Sequence, residues 1–277
     1  MRLGGPIFAK YNTPDEWANA VIAAGYRAAG SPVGDDADDQ TIEAYRLAAA
    51  RHDLVIAEVG AWSNTISPDA DVRKQALDFC IRRLELADKL GATVCVNIAG
   101  GRGEQWDGPH PDNFSADTFD LIVDTVRTII DAVKPKRTFY ALETMPWVYP
   151  DSPDTYLDLI RAIDREQFAV HLDPVNMISS PRRYFNNGDF IRECFAKLGP
   201  YIKTCHAKDI KLSGKLTVHL EEVMPGTGDL DYKVFLTELS KLSLDIPLII
   251  EHLQTEEEYN TAAAYIRGVA NQAGLII

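Results

Sequence analysis

The stretch Phe168-Ala169-Val170-His171-Leu172-Asp173-Pro174-Val175-Asn176 decides the fold. An apolar, β-prone segment runs into a carboxylate and is halted at once by proline, which has no N–H for a sheet ladder and restricts the residue before it. The strand therefore ends at Asp173. A carboxylate at that point sits on the rim of a sheet, where α/β proteins place their chemistry.

Outward from this strand, helix and strand signals alternate to both ends of the 277-residue chain. Strands are predicted over about 2–3, 26–28, 55–59, 93–97, 138–143, 168–173, 201–206 and 247–251. Helices are predicted over about 14–24, 39–52, 68–90, 115–133, 153–163, 190–198, 232–242 and 255–270. Several carry end signals: Thr13-Pro14-Asp15-Glu16 is a capping box with proline at the first helical position, Ser152 precedes Pro153, and Gly91 follows the long third helix. Eight strands alternating with eight helices, and no linker or composition shift between them, predict a single-domain (β/α)8 TIM barrel over 1–277. A doubly wound open sheet is the competing architecture. Long loops follow the strands, at 98–114, 174–189 and 207–230, whereas loops after helices are short. Barrel enzymes elaborate that same face.

Composition excludes several function classes. A net charge of −13 opposes nucleic-acid binding and attachment to anionic membranes. No apolar run approaches a membrane span, and Met1-Arg2-Leu3-Gly4-Gly5-Pro6 lacks the apolar core of a signal peptide. Cys80, Cys95, Cys194 and Cys205 show no C-x-x-C spacing and read as small buried hydrophobes in a reducing compartment, so a cytoplasmic location is expected. The run 97–103, Asn97 through Gly103, lacks the spacing of a nucleotide-binding loop.

Four consecutive strands end in a residue able to bind a metal: Glu143, Asp173, His206 and Glu251. Charged groups at the ends of apolar strands are costly unless paired or bound to a cation. A Glu/Asp/His/Glu set offers mostly oxygen with one imidazole, which suits Mn²⁺ best, with Mg²⁺, Co²⁺ or Zn²⁺ as alternatives. Rim polars held by salt bridges are the competing reading.

These residues, with Leu142-Glu143-Thr144-Met145-Pro146-Trp147, His206-Ala207-Lys208-Asp209 and Pro225-Gly226-Thr227-Gly228-Asp229, resemble the xylose-isomerase-like TIM-barrel family. That family includes sugar-phosphate isomerases and epimerases, tagatose/psicose 3-epimerases, hydroxypyruvate isomerase, inosose dehydratase and apurinic-site endonucleases. The resemblance implies one divalent metal held by Glu143, Asp173, His206 and Glu251, with Glu143 and Glu251 also acting as acid and base. It departs from the epimerases at one point: their sixth strand reads D-x-x-H, where this chain has Asn176. Asparagine hydrogen-bonds but does not titrate.

Further candidates surround that set. Lys208 is either a cation for the substrate or a salt-bridge partner of Asp209 or of a rim carboxylate, and Arg182 and Arg183 on the sixth loop offer an anion site, a solvated loop or a subunit contact, leaving a homo-oligomer open. Trp62, Trp106 and Trp147 follow strands on the active face, either as platforms for sugar C–H surfaces or as loop packing, and Glu58 and Asn97 are placed to bond substrate hydroxyls. His171 shares strand parity with Asp173 and reads as a buried support, while His252 has the opposite parity to Glu251 and reads as structural.

The sequence thus predicts a metal-dependent isomerase or epimerase acting through an enediolate on a small carbohydrate or sugar-acid substrate. The alternative is a lyase: a decarboxylase of a 3-oxo sugar acid, or a keto-sugar lyase or dehydratase. Asn176 and the arginine pair lean toward the second.

Overall fold

The computed structural model describes residues 1–243 and 245–277. Among these residues the chain forms ten strands. Eight build a barrel: β1 (Arg2–Gly4), β2 (Ala28–Gly30), β3 (Val55–Gly60), β4 (Val94–Asn97), β5 (Phe139–Glu143), β6 (Phe168–Leu172), β7 (Ile202–Ala207) and β10 (Pro247–Ile250). β8 (Asp209–Ser213) and β9 (His219–Val223) form a separate antiparallel hairpin. The barrel is closed and all-parallel, in the order β1-β10-β7-β6-β5-β4-β3-β2. Helices α1 (Pro14–Ala23), α2 (Asp39–Arg51), α3 (Ala70–Leu90), α4 (Ala116–Val133), α5 (Pro153–Ile163), α6 (Pro174–Met177), α7 (Pro181–Phe185), α8 (Asn187–Leu198), α9 (Tyr232–Ser240) and α10 (Glu256–Gln272) complete the chain. The expected (β/α)8 barrel is the observed one.

Local chemistry explains where the elements stop. Thr13 accepts from Glu16 N and carries Pro14 at the first helical position, and Ser152 and Thr155 form a reciprocal cap on α5. Gly91 ends α3 at φ 67°, a conformation that side chains resist. The second strand lies two residues later than expected, because Tyr26 N donates to Val21 O and spends that residue on closing α1. Asp173 does end its strand, and it also caps α6 by accepting from Val175 N and Asn176 N. The stretch 207–230, expected to be irregular, contains the hairpin. All four cysteines are free and buried. No helix among the described residues is long and apolar enough to cross a membrane.

Two buried side chains tie this frame to the rim. Tyr156 of α5 is fully buried, and its hydroxyl lies 2.5 Å from Leu142 O and 2.9 Å from Ala169 O. It therefore pins the helix to both β5 and β6, the strands that lead into Glu143 and Asp173. Asp209 is equally buried and accepts from Ile210 N (2.8 Å), Gly226 N (2.9 Å), Gly228 N (3.1 Å) and Leu230 N (2.9 Å), closing the base of the hairpin excursion. Gly228 is required there, since a Cβ would lie 2.4 Å from Ile210 O and 2.5 Å from the Asp209 carboxylate.

Tyr156→Phe should lower stability by about 0.5–1.5 kcal/mol, the net contribution of a buried hydrogen bond. Urea unfolding followed by circular dichroism checks this, and an unchanged midpoint would show that the hydroxyl contributes nothing.

Candidate active site

The rim gathers Glu143, Asp173, His206 and Glu251 so that one ligand atom from each lies within 4.8 Å of the others. The strands that carry them are neighbours in the order β5, β6, β7, β10, as the sequence suggested. His206 Nδ1 sits 3.1 Å from Glu143 Oε1 and 2.7 Å from Glu251 Oε1. Lys208 Nζ, two residues further and on the same face of the chain, sits 2.8 Å from Asp173 Oδ2 and 2.7 Å from Glu251 Oε1. It is 3.5 Å from both Glu143 Oε1 and Glu222 Oε2. Lys208 therefore pairs with the rim carboxylates, while Asp209 is occupied by backbone N–H groups.

This packing sets the charge states. Burial alone would raise the Glu143 carboxyl, but His206, Lys208 and His171 outweigh it and hold it well below the usual carboxylate range. Glu251 is likewise drawn down to about 2 against its burial, chiefly by His206. Burial pushes Asp173 up to about 6, with Lys208 opposing. Burial would depress His206, yet Glu251 and Glu143 hold it well above the ordinary histidine value. His171 is pressed down to about 4 by burial and by the neighbouring His206.

Two of the rim carboxylate oxygens lack a directional partner. Among the described residues, Asp173 Oδ2 and Glu251 Oε1 are buried and have no aligned hydrogen bond, although cationic nitrogens lie within 2.8 Å of each. A divalent cation attracts oxygen without demanding a donor angle, so three carboxylates and an imidazole in this state fit one.

Above the cluster lies a cavity of about 620 Å³. It is lined by the polar Glu58, Glu143, Asn176, Lys208 and Glu251 and by the apolar Trp62, Trp106, Met145 and Trp147. Asp107, Glu222, His252 and Tyr259 also line it.

A family model described as xylose isomerase-like TIM barrel matches residues 18–269. The chain belongs to the xylose isomerase-like TIM barrel family. No curated protein matches it. Among solved structures, the probable 3-DHS dehydratase AsbF of Bacillus anthracis, involved in petrobactin synthesis, is similar at 17% identity and a TM-score of 0.72, over 98% of this chain and 100% of that one. D-psicose 3-epimerase of Clostridium cellulolyticum H10, solved with D-tagatose, gives 16% identity and 0.69 over 97% and 99%. A xylose isomerase-like TIM barrel protein of Mycobacterium smegmatis, solved with magnesium, gives 18% identity and 0.67 over 98% and 96%.

Against this family frame, the individual candidates divide. Glu58, Trp62, Trp147, Asn176 and Lys208 all reach the cavity. Asn176 Nδ2 donates to Glu143 Oε1 at 3.2 Å, and Trp147 Nε1 donates to Asp107 O at 2.7 Å. Asn97 does not reach it: its amide is consumed by Ser63, accepting from Ser63 N at 3.1 Å and donating to Ser63 O at 3.0 Å. Arg182 and Arg183 do not reach it either. They line a separate depression with Asp154, Asp189 and Glu193. Arg183 donates to Met177 O at 2.7 Å and its guanidinium lies 4.9 Å from the Phe190 ring centre, because α7 turns the pair away from the rim. His171 lies against His206, with ring centres 4.0 Å apart, rather than against Asp173.

His252 corrects the parity argument. Its φ of 60° lies in the left-handed region, so strand alternation fails one residue past Glu251 and the side chain lines the cavity. Its Nδ1 meets Glu222 Oε1 at 2.9 Å. Glu222 escaped notice because the hairpin that delivers it has no apolar run long enough to announce a strand.

Lys208→Met removes a buried ammonium from among carboxylates and leaves them uncompensated. In a chelator the variant should be less stable by about 3–5 kcal/mol, and added Mn²⁺ should recover more stability in the variant than in the unmodified protein. Urea titrations with and without metal measure both; equal stability in chelator would mean the ammonium is not compensating the cluster.

Proposed function

We propose that the protein is a metal-dependent isomerase or epimerase of a small neutral keto sugar, with Glu143, Asp173, His206 and Glu251 as the metal ligands. The observation that carries this reading is a pair of ionised carboxylates, Glu143 and Glu251, facing one aromatic-walled cavity from strands separated by β6 and β7. A divalent cation held there supplies Lewis-acid stabilisation to the oxygens of a carbonyl and its adjacent hydroxyl.

The residues divide the remaining work. One of Glu143 and Glu251, as a carboxylate, removes the proton next to the carbonyl and later loses it to solvent, while the other takes up a solvent proton through the cavity and delivers it from its own side. Asn176 holds Glu143 by its amide N–H, which favours the ionised form and fixes its direction. The Lys208 ammonium counters negative charge as it develops on the substrate oxygens. Trp62, Trp106 and Trp147 offer flat apolar surfaces to sugar C–H groups.

Substrate charge follows from what lines the cavity. No arginine among the described residues does so, and Glu58, Asp107 and Glu222 add acidic groups. An anionic sugar acid would meet Lys208 as its one fixed cationic partner among the described lining residues besides a bound metal. This favours a neutral substrate, and it removes the support that Arg182 and Arg183 gave to a decarboxylase. A dehydratase is the second reading, because Asn176 is engaged with Glu143 and offers no titrating group, and one similar structure carries a dehydratase name. The Mg²⁺ in another similar structure and the mixed O/N donor set support a divalent metal, with Mn²⁺ our choice.

Two measurements test this. Neutral ketoses incubated with Mn²⁺-loaded protein in deuterated solvent should take up deuterium at a carbinol carbon without loss of water or CO₂, and Glu143→Gln and Glu251→Gln should each slow exchange by about 10²–10⁴-fold. Loss of water instead identifies the dehydratase. Metal binding is the second. His206, with its raised pKa, keeps its proton through neutrality, whereas ligation needs a bare nitrogen. Mn²⁺ uptake near neutral pH should therefore release about one proton, and affinity should rise with pH by up to about tenfold per unit. Calorimetry in buffers of different ionisation enthalpy reads the proton count; none released would remove His206 from the ligand set.

A further inference from the structure

Directly across the barrel from β7, β3 carries Glu58, whose Oε2 is buried and has no hydrogen bond among the described residues. It lies 3.5 Å from His206 Nε2, which is also buried and without a hydrogen bond. The other nitrogen of that ring, Nδ1, points at Glu251 and Glu143. A neutral imidazole has a single N–H, so a ring that turns its Nδ1 lone pair toward a cation must carry its proton on Nε2. That proton needs an acceptor, and a carboxylate oxygen stands opposite it. The ring is otherwise held by His171, packed edge-on at 77° with centres 4.0 Å apart and itself fixed by Thr204 Oγ1 at 2.6 Å from its Nδ1.

We propose that Glu58 is a positioning residue that accepts the Nε2 proton of His206, and so fixes the tautomer and the direction in which His206 offers Nδ1 to the metal. The proposal rests on the metal reading above. It changes the role of Glu58 from a contact for substrate hydroxyls to a determinant of metal affinity. Metal-bound histidines regularly give their second N–H to such an acceptor, and removing it weakens binding about 10–100-fold.

The test is the Mn²⁺ dissociation constant, measured by competition with a chelating dye, for the unmodified protein, Glu58→Gln and Glu58→Leu. Glu58→Leu should bind about 10–100-fold more weakly, and Glu58→Gln, which keeps an acceptor oxygen, should recover most of the loss. Thermal unfolding in chelator should separate the two variants far less than unfolding in Mn²⁺ does, and nitrogen NMR of the Mg²⁺-loaded protein should place the His206 proton on Nε2. Mn²⁺ affinity that ignores both substitutions overturns the proposal and leaves the metal reading standing. So does a second equivalent of metal lost on substituting Glu58, which would make Glu58, His171 and His206 a cation site of their own. Failure of the unmodified protein to bind Mn²⁺ overturns the metal reading as well.

Discussion

Mutual repulsion among Glu143, Asp173 and Glu251 is the constraint on which the upper half of the barrel depends. Three carboxylates within reach of one ligand sphere remain ionisable only because His206 and Lys208 stand among them. Both cations come from one strand end, two residues apart, so β7 supplies the counter-charge for groups delivered by β5, β6 and β10. Closure of the barrel makes this possible: each strand contributes one group to a common rim, and no single strand could place like charges so near one another. Tyr156 then holds β5 and β6 level from outside the barrel, keeping Glu143 and Asp173 at the height where the cations reach them.

Electrostatics and shape together narrow the chemistry. The two glutamates stay ionised for different reasons of partnership, Glu143 with His206, Lys208 and an amide donor, Glu251 with His206 and Lys208. Asp173 is the most reluctant of the set to ionise, because it is fully buried and lies beside Glu143 and Glu251, with Lys208 opposing. The tryptophans and acidic groups that line the cavity support the neutral, polyhydroxylated substrate proposed above.

Most of the barrel and the central four residues were legible in the sequence, because strand periodicity, caps and strand-terminal charges are local signals. Asp173 before Pro174 is the clearest case, where one dipeptide ends a strand and exposes a carboxylate. What escaped depended on backbone conformation or on distant partners. The left-handed turn at His252 cannot be read from alternation, since alternation presumes an extended chain. Asn97 has the right position but its amide is spent on Ser63 across a loop. Arg182 and Arg183 sit on the right loop, but the short helix α7 directs them outward, a matter of a few backbone angles that composition does not encode.

The four N–H groups that converge on Asp209 have a consequence for how such a protein diversifies. They clasp the two ends of the 210–228 excursion at its root, so one carboxylate joins both arms of the hairpin. Its length and side chains can drift while the barrel below keeps its register, because no barrel strand pairs with β8 or β9. The four-residue cluster is thus anchored on the barrel strands, while Glu222, which also lines the cavity, is carried by a hairpin that pairs with none of them.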